Sequence, residues 1–131
     1  MKKISLKDQQ GQSMTEFALV LPILALLLFG IIQFGITFNN YLTVTDAVRA
    51  GARKAAVGRH LPDPQGSSIA AVRAAATDLK QSDLNVTVTV NPGWTAGAEA
   101  TVSADYPYSI SLLGLVVKSG RMHSTTKERI E

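Results

Sequence analysis

The sequence predicts an α+β protein in which a long N-terminal transmembrane helix extends into a small domain with one further helix and a two- to three-stranded antiparallel sheet. Two observations predict it. Residues 17–38 contain fifteen Phe, Leu, Ile and Val and no charged residue, whereas residues 84–90 and 98–106 alternate apolar with polar side chains. An apolar run of membrane length indicates one lipid-spanning helix, and a period of two indicates half-buried strands. The length of 131 residues leaves room for one small domain beside that helix.

The first helix is expected to be longer than the membrane segment. Residues 1–11 are polar and without periodicity, so we interpret them as a leader. From near Ser13 the helix is expected to run to Val57 as a rod of roughly forty residues and about 60 Å, since proline is absent from residues 39–57. Pro22 removes one backbone donor, so a modest kink is expected there. The chain thus divides into a leader, an N-terminal helix and an α+β head: residues 1–11, 12–58 and 59–131.

The apolar run fits one pass through a bilayer, at about 17–38. A helix of that length spans about 33 Å, against a hydrocarbon core of about 30 Å. The alternative is a secretory signal peptide, whose apolar region is about 7 to 15 residues long and ends at a small-x-small cleavage site. Here Ile31-Ile-Gln-Phe34 continues the run, which favours a retained transmembrane helix.

Charge distribution bears on orientation and on partners. Basic residues flank the span on both sides: Lys2, Lys3 and Lys7 before it, and Arg49, Arg53, Lys54 and Arg59 after it. The numbers of basic residues on the two sides are similar, so the positive-inside rule alone does not set the orientation. The short basic leader favours a cytoplasmic N-terminus. Removal of the leader would take away three lysines and one aspartate and lower the net charge from +3 to +1. A nearly neutral chain without a basic, aromatic-interleaved helix predicts no nucleic-acid partner.

Small residues recur every four positions in the second half of the rod, at Ala47, Gly51 and Ala55. Such a stripe lets another helix approach closely. The alternative is an ordinary alanine-rich helix packed on its own domain. The pattern alone leaves both interpretations open.

Prolines at 62 and 64 end the rod, and a second helix is expected from about Ser67 to Lys80, with serines capping its first turn. Strands at 84–90 and 98–106, joined by the turn Asn91-Pro-Gly93, predict an antiparallel pair. Residues 121–130 can supply a third strand on one edge.

The segment Ile110-Ser-Leu-Leu-Gly-Leu-Val-Val117 is apolar but far too short to span a bilayer. We expect it to belong to the core or to a contact between subunits, and not to anchor the chain in a membrane.

The sequence predicts no catalytic site, no cofactor and no metal site. His60 lies in a proline-broken linker and His123 in a polar tail, where each is expected to be solvated. The absence of cysteine excludes a disulfide, a thiol nucleophile and a thiolate metal site. The remaining carboxylates lie near turns or on polar strand faces, as surface carboxylates usually do.

Glu16 is an isolated charge: it directly precedes the apolar run, and the next charged residue is Asp46. Lipid tolerates such a group only when it has a partner or a task. Cleavage after Gly11 would free an amine on Gln12, which the Glu16 of a neighbouring subunit could neutralise inside a helix bundle. The alternative is an acid at a helix start, favoured by the macrodipole by about 0.3 to 1 kcal/mol.

Two motifs, Thr15-Glu-Phe-Ala-Leu-Val-Leu-Pro22 and Asp46-Ala-Val-Arg-Ala-Gly-Ala-Arg53, resemble the TadE-like family of the tight-adherence (Tad) pilus machinery, small pilin-like proteins of the type IV pilin class. The resemblance covers Gly11 to about Gly58, and the second motif makes it specific. A TadF-like paralogue of similar size remains an alternative, whereas Tad major pilins are far shorter.

The resemblance implies a minor pilin or pseudopilin that acts in assembly or priming of a Flp-type pilus. A prepilin peptidase would cleave between Gly11 and Gln12, and Glu16 and Phe17 would position the subunit. The protein would reside in the bacterial inner membrane with a periplasmic head. It would form a hetero-oligomer with the major pilin, other minor pilins and the inner-membrane assembly platform.

Two alternatives from other classes remain. One is an unprocessed, single-pass envelope scaffold or binding protein, in which Gly11 and Glu16 have no joint role. The other is a membrane enzyme subunit, which would need a catalytic cluster that the sequence does not contain.

Overall fold

A long helix, a short helix and a three-stranded sheet make up the fold. The computed structural model describes residues 6–131, and side chains from residue 11 onward. The elements follow the order α1 (Leu6–Val57), α2 (Pro64–Ala75), β1 (Asn85–Asn91), β2 (Glu99–Leu112) and β3 (Leu115–Arg129). The predicted α+β fold is confirmed, with three strands.

Helix α1 has 52 residues and includes Pro22. It begins at Leu6, so the expected start near Ser13 is wrong. The stretch Leu-Lys-Asp-Gln-Gln before Gly11 contains no proline and is rich in good helix formers, which extends the first turns. Residues 1–5 of the expected leader lie outside the described residues. The expected end at Val57 is confirmed, and the Gly58 amide donates to the Ala55 carbonyl at 3.2 Å to close the last turn.

Only the last third of α1 contributes to the core of the head. Its buried residues recur at three- and four-residue intervals, as expected for one face of a helix. They are Val44, Ala47, Val48, Gly51, Ala52, Ala55 and Ala56. This face packs against α2 and against the sheet.

Helix α2 begins at Pro64 and ends at Ala75, so the expected bounds of 67–80 are wrong. Asp63 is the N-cap, and its Oδ1 accepts a hydrogen bond from the Gly66 amide at 2.8 Å. Proline at the first helical position suits this start, because its missing N–H would be unpaired there anyway. Of the two serines expected to cap this helix, Ser67 and Ser68, the second is instead buried, and its Oγ donates to the Gly51 carbonyl at 2.9 Å.

Replacing Asp63 with alanine is expected to lower the stability of the head by about 1 kcal/mol, because the Gly66 amide loses its acceptor. The single tryptophan, Trp94, packs against the core and reports unfolding of the head by fluorescence in the detergent-solubilised full chain. Asp78→Ala is the matched control, since Asp78 is exposed. Equal midpoints for the two variants would contradict the capping role.

The strands lie in the order β1-β2-β3, and each neighbouring pair is antiparallel. The expected strand pair and the third edge strand are therefore confirmed, although β2 and β3 are each several residues longer than expected.

The face of the sheet that lies toward the helices carries small residues on β2, which allow close approach of α1. They are Ala98, just before the strand, and Ala100, Val102 and Ala104 within it. The opposite face is polar.

Strands β2 and β3 extend beyond β1, which pairs with β2 only from Glu99 to Asp105. Residues 106–112 and 115–122 therefore pair only with each other, and we call them the hairpin arm. The arm closes through Leu113 and Gly114, both at positive φ (50° and 85°), as a two-residue type I′ turn requires.

The tip of the arm is exposed: the exposed fractions are 70% for Leu113, 75% for Leu115, 65% for Val116 and 64% for Val117. Of the two places expected for this apolar segment, its tip does not lie in the core of the head, and a contact between subunits stays a prediction. The segment folds back on itself at Leu113 and Gly114, so it forms the end of a hairpin and not one continuous buried strand.

Candidate assembly site on the N-terminal helix

No other element of the described chain packs against the apolar residues in the first two-thirds of α1. Every large apolar side chain from Met14 to Leu42 is exposed. In the described part of the chain, one helix segment, Gly11–Val57, is long and apolar enough by length and composition to cross a membrane. Its most apolar stretch of 18 residues has a mean hydropathy of 2.6, and none of that stretch is buried. A surface this apolar requires lipid or other helices around it.

Glu16 lies on the exposed surface at the start of this segment. Its Oε1 accepts a hydrogen bond from Gln12 Nε2 at 3.0 Å, one helical turn earlier. The neighbouring Phe17 is 60% exposed. The carboxylate is thus held at the helix surface, and a helix packed alongside can reach it.

The expected cleavage junction between Gly11 and Gln12 lies inside α1. The Gly11 carbonyl accepts a hydrogen bond from Thr15 Oγ1 at 2.9 Å. Nothing lies within 4 Å of a Cβ built on Gly11, so the junction is sterically open. A protease that binds extended backbone would have to unwind these first turns.

Further along, Gly30 leaves a notch in the apolar surface. The notch is lined by six residues: Ile23, Leu26, Leu27, Gly30, Ile31 and Phe34. A Cβ at Gly30 would meet nothing within 4 Å. Such a notch can receive a side chain from a neighbouring helix.

The stripe of Ala47, Gly51 and Ala55 is buried inside the head. A Cβ at Gly51 would overlap Val72 Cγ2 on α2 and lie 3.3 Å from Val102 Cγ1 on β2. The sequence left open whether this stripe packs against a helix of another chain or within its own domain. In the structure it packs within its own domain. The helix that approaches it is α2 of the same chain.

The opposite face of α1 in the head is charged. Asp46, Arg49, Ala50 and Arg53 line a shallow groove of about 330 Å³ there. Arg49 Nη1 bonds Asp46 Oδ1 at 3.1 Å, and both side chains are exposed.

Sequence reasoning missed a polar network on the outer face of the sheet. His123 lies in the middle of β3 and not in a tail: its Nδ1 is 2.8 Å from Asp105 Oδ1, and its Nε2 is 2.8 Å from Thr125 Oγ1. Thr125 Oγ1 also lies 2.9 Å from Ser103 Oγ. The signal was available, because alternation places Ser103 and Asp105 on one face opposite Thr125 and His123.

The order carboxylate, imidazole, hydroxyl occurs in catalytic triads, but here the groups lie on a flat, exposed strand surface. Such a surface offers no oxyanion donors converging on a substrate carbonyl.

His60, in the linker, accepts a hydrogen bond at Nε2 from its neighbour Arg59 at 2.8 Å. Among residues 11–131, no group of three or more His, Cys, Asp and Glu is placed to hold a metal ion.

The fold and the bare helix define a class: a membrane-anchored protein in which one apolar helix carries a small α+β head. Residues 11–53 match the model of the family described as TadE-like protein. The match confirms the resemblance seen in the two sequence motifs, over about a third of the chain. The TadE-like family is not an enzyme family. No curated protein and no solved structure matches the chain.

Proposed function

We propose that this protein is a minor pilin or pseudopilin that acts in the assembly or priming of a tight-adherence pilus. A prepilin peptidase removes residues 1–11, residues 17–38 hold the subunit in the bacterial inner membrane, and the head, residues 59–131, lies in the periplasm. The partners are the peptidase, the major pilin, other minor pilins and the inner-membrane assembly platform.

One observation carries this proposal: Glu16 is a single exposed carboxylate at the start of an uncovered apolar helix, in a family match that begins at Gly11. During assembly the helix moves from lipid into a protein bundle, where apolar packing replaces lipid contacts. The carboxylate then meets the amine that cleavage creates on Gln12 of an adjacent subunit. A charge buried in this way is tolerated because it is paired.

The bond between Gln12 Nε2 and Glu16 Oε1 supports this order of events. It gives the carboxylate a neutral donor while the subunit is still alone in the membrane. A carboxylate has about four acceptor sites, so the same group can also accept from an ammonium of a neighbouring chain.

The experiment is an intact-mass and N-terminal sequence determination on the full chain extracted from membranes of its native host. We expect a start at Gln12 with a free α-amine, because cyclisation of the new terminal glutamine would convert that amine into a neutral amide; a cyclised start would contradict the pairing with Glu16. Gly11→Leu, which places a bulky side chain at the junction while keeping the helix, should yield a chain that starts at Met1. A start at Met1 for the unaltered chain, in cells with an active prepilin peptidase, would instead support the unprocessed anchor.

A further inference from the structure

The hairpin arm carries a second apolar surface, which the proposed function does not use. Its tip exposes Leu113, Leu115, Val116 and Val117. Four exposed aliphatic side chains at the end of a two-stranded arm have nothing to pack against in the described residues. A surface of this kind is covered in the working protein.

Three contacts fix the direction in which the arm points. The Glu131 amide, just past the end of β3, donates to the Ala56 carbonyl at the C-terminal end of α1, at 3.0 Å. Further back along the sheet, Val102 lies against Gly51. Since β3 therefore runs in the same sense as α1, its starting end and the arm point toward the N-terminal, apolar part of α1.

A third contact agrees with this direction. The Tyr106 hydroxyl, where the arm begins, accepts a hydrogen bond from the Lys80 amide at 3.2 Å. Lys80 follows the C-terminal end of α2, and α2 packs against α1 after a short connection from Val57 to Pro64. Gln65, near the start of α2, donates from Nε2 to the Val88 carbonyl, and Arg73, near its end, donates from Nη2 to the Leu84 carbonyl, each at 3.4 Å. Since β1 pairs Val88 with Val102 and Asn85 with Asp105, the end of α2 lies on the side of the arm.

The arm is long enough to reach the lipid headgroups. From Val102 to Leu112 the strand covers about 33 Å at about 3.3 Å per residue. From Gly51 back to Tyr41, just beyond the apolar run, α1 covers about 15 Å at about 1.5 Å per residue. An arm inclined by up to about 60° to α1 therefore brings its tip to the level of Tyr41.

The charges on the arm suit an anionic lipid surface. Residues 106–122 contain Lys118 and Arg121 and no acidic residue. Both basic side chains are exposed. Tyr108, farther from the tip, packs its ring over Gly120 and against the core of the head, so it joins the arm to the head. Aliphatic residues at the tip with basic residues behind them form the pattern of an interfacial membrane contact.

We propose that the hairpin arm is a second membrane contact: its tip enters the headgroup layer of the bilayer that α1 spans, and Lys118 and Arg121 bind anionic headgroups. The contact fixes the tilt of the head above the membrane and is released when the subunit leaves the lipid. It requires only that α1 spans a membrane, not that the leader is removed, so the analysis of the N-terminus tests the two proposals separately.

The test uses the absence of cysteine in the chain. Val116→Cys and, as the matched control on the outer face of β1, Thr89→Cys are each labelled with an environment-sensitive fluorophore in the full chain. Both positions are exposed, so neither change disturbs the core. The chains are reconstituted at low protein density into vesicles of phosphatidylcholine with or without phosphatidylglycerol, and quenching by iodide and by lipids with a shallow nitroxide is measured.

We expect blue-shifted emission and at least about threefold less iodide quenching at Val116 than at Thr89, with shallow nitroxide quenching at Val116 only. Phosphatidylglycerol should strengthen the effect, and Lys118→Ser with Arg121→Ser should remove that dependence. Equal iodide quenching at the two positions would overturn the proposal. So would protection at Val116 that appears only when unlabelled chain or pilus components are added, because the arm would then be a protein contact.

Discussion

Replacing Gly51 with leucine is expected to unfold the head at temperatures where the unaltered protein is folded. A Cβ at this position would overlap Val72 Cγ2 and lie 3.2 Å from the Ser68 carbonyl oxygen. Overpacking of a filled core costs about 1–3 kcal/mol, and occasionally more. Here the side chain must separate α1 from α2, which also threatens the buried bond from Ser68 Oγ to the Gly51 carbonyl.

Trp94 fluorescence of the detergent-solubilised full chain measures this effect. For a domain of this size, a loss of about 3 kcal/mol lowers the unfolding midpoint by more than about 10 °C. Gly35→Leu is the matched control, because a Cβ at Gly35 meets nothing within 4 Å and that residue lies outside the head. An unchanged midpoint for Gly51→Leu would show that the two helices are not in the close contact described here.

Replacing Glu16 with alanine is expected to leave membrane insertion intact and to lower incorporation into the proposed pilus assembly. Insertion becomes easier, because the change removes the one charge near the apolar run. Assembly becomes harder, because the amine of the adjacent subunit would be buried without a partner, which costs about 3–5 kcal/mol. Co-purification with pilus components should therefore fall by at least about tenfold.

Two further variants separate charge from local structure at this position. Glu16→Gln keeps an acceptor for Gln12 Nε2 and removes only the charge, so it should fail as fully as Glu16→Ala. Glu99→Ala removes an exposed carboxylate bonded to Lys127 Nζ at 2.7 Å on the outer face of the sheet, and should co-purify normally. Normal co-purification of Glu16→Gln would contradict the need for a negative charge at this position, and would limit Glu16 to its hydrogen bond within the helix.

The sequence predicted the parts of the fold that depend on strong periodicity. The run of fifteen large apolar residues specifies the membrane helix, and strict alternation specifies β1 and the first half of β2. Glycine at position 58 followed by two prolines specifies the end of α1. Each of these signals lies within a short stretch of sequence, in side-chain hydrophobicity for the first two and in backbone restriction for the third, so it can be read without knowledge of tertiary contacts.

The expectations that were wrong concern two kinds of position: some depend on tertiary contacts, and at others a local feature was overlooked. Ser68 looks like a cap from sequence but is buried against the Gly51 carbonyl, while Asp63 caps the helix. The turn at Leu113 was missed because leucine rarely adopts a positive φ, which made the segment look like one continuous apolar run. The network around His123 depends on strand register, which no single strand reveals.

Beyond Asp105, strand β2 is paired with β3 on one side, and no strand of the described chain covers the other. An open edge of this kind invites strand addition by other polypeptides and, with it, aggregation. Pro107 interrupts the ladder at this edge because it has no N–H to donate. The positive charges of Lys118 and Arg121 oppose the stacking of one arm on another. Pro107 and the two basic residues thus oppose fibril-like association of the protein through the unpaired edge of β2.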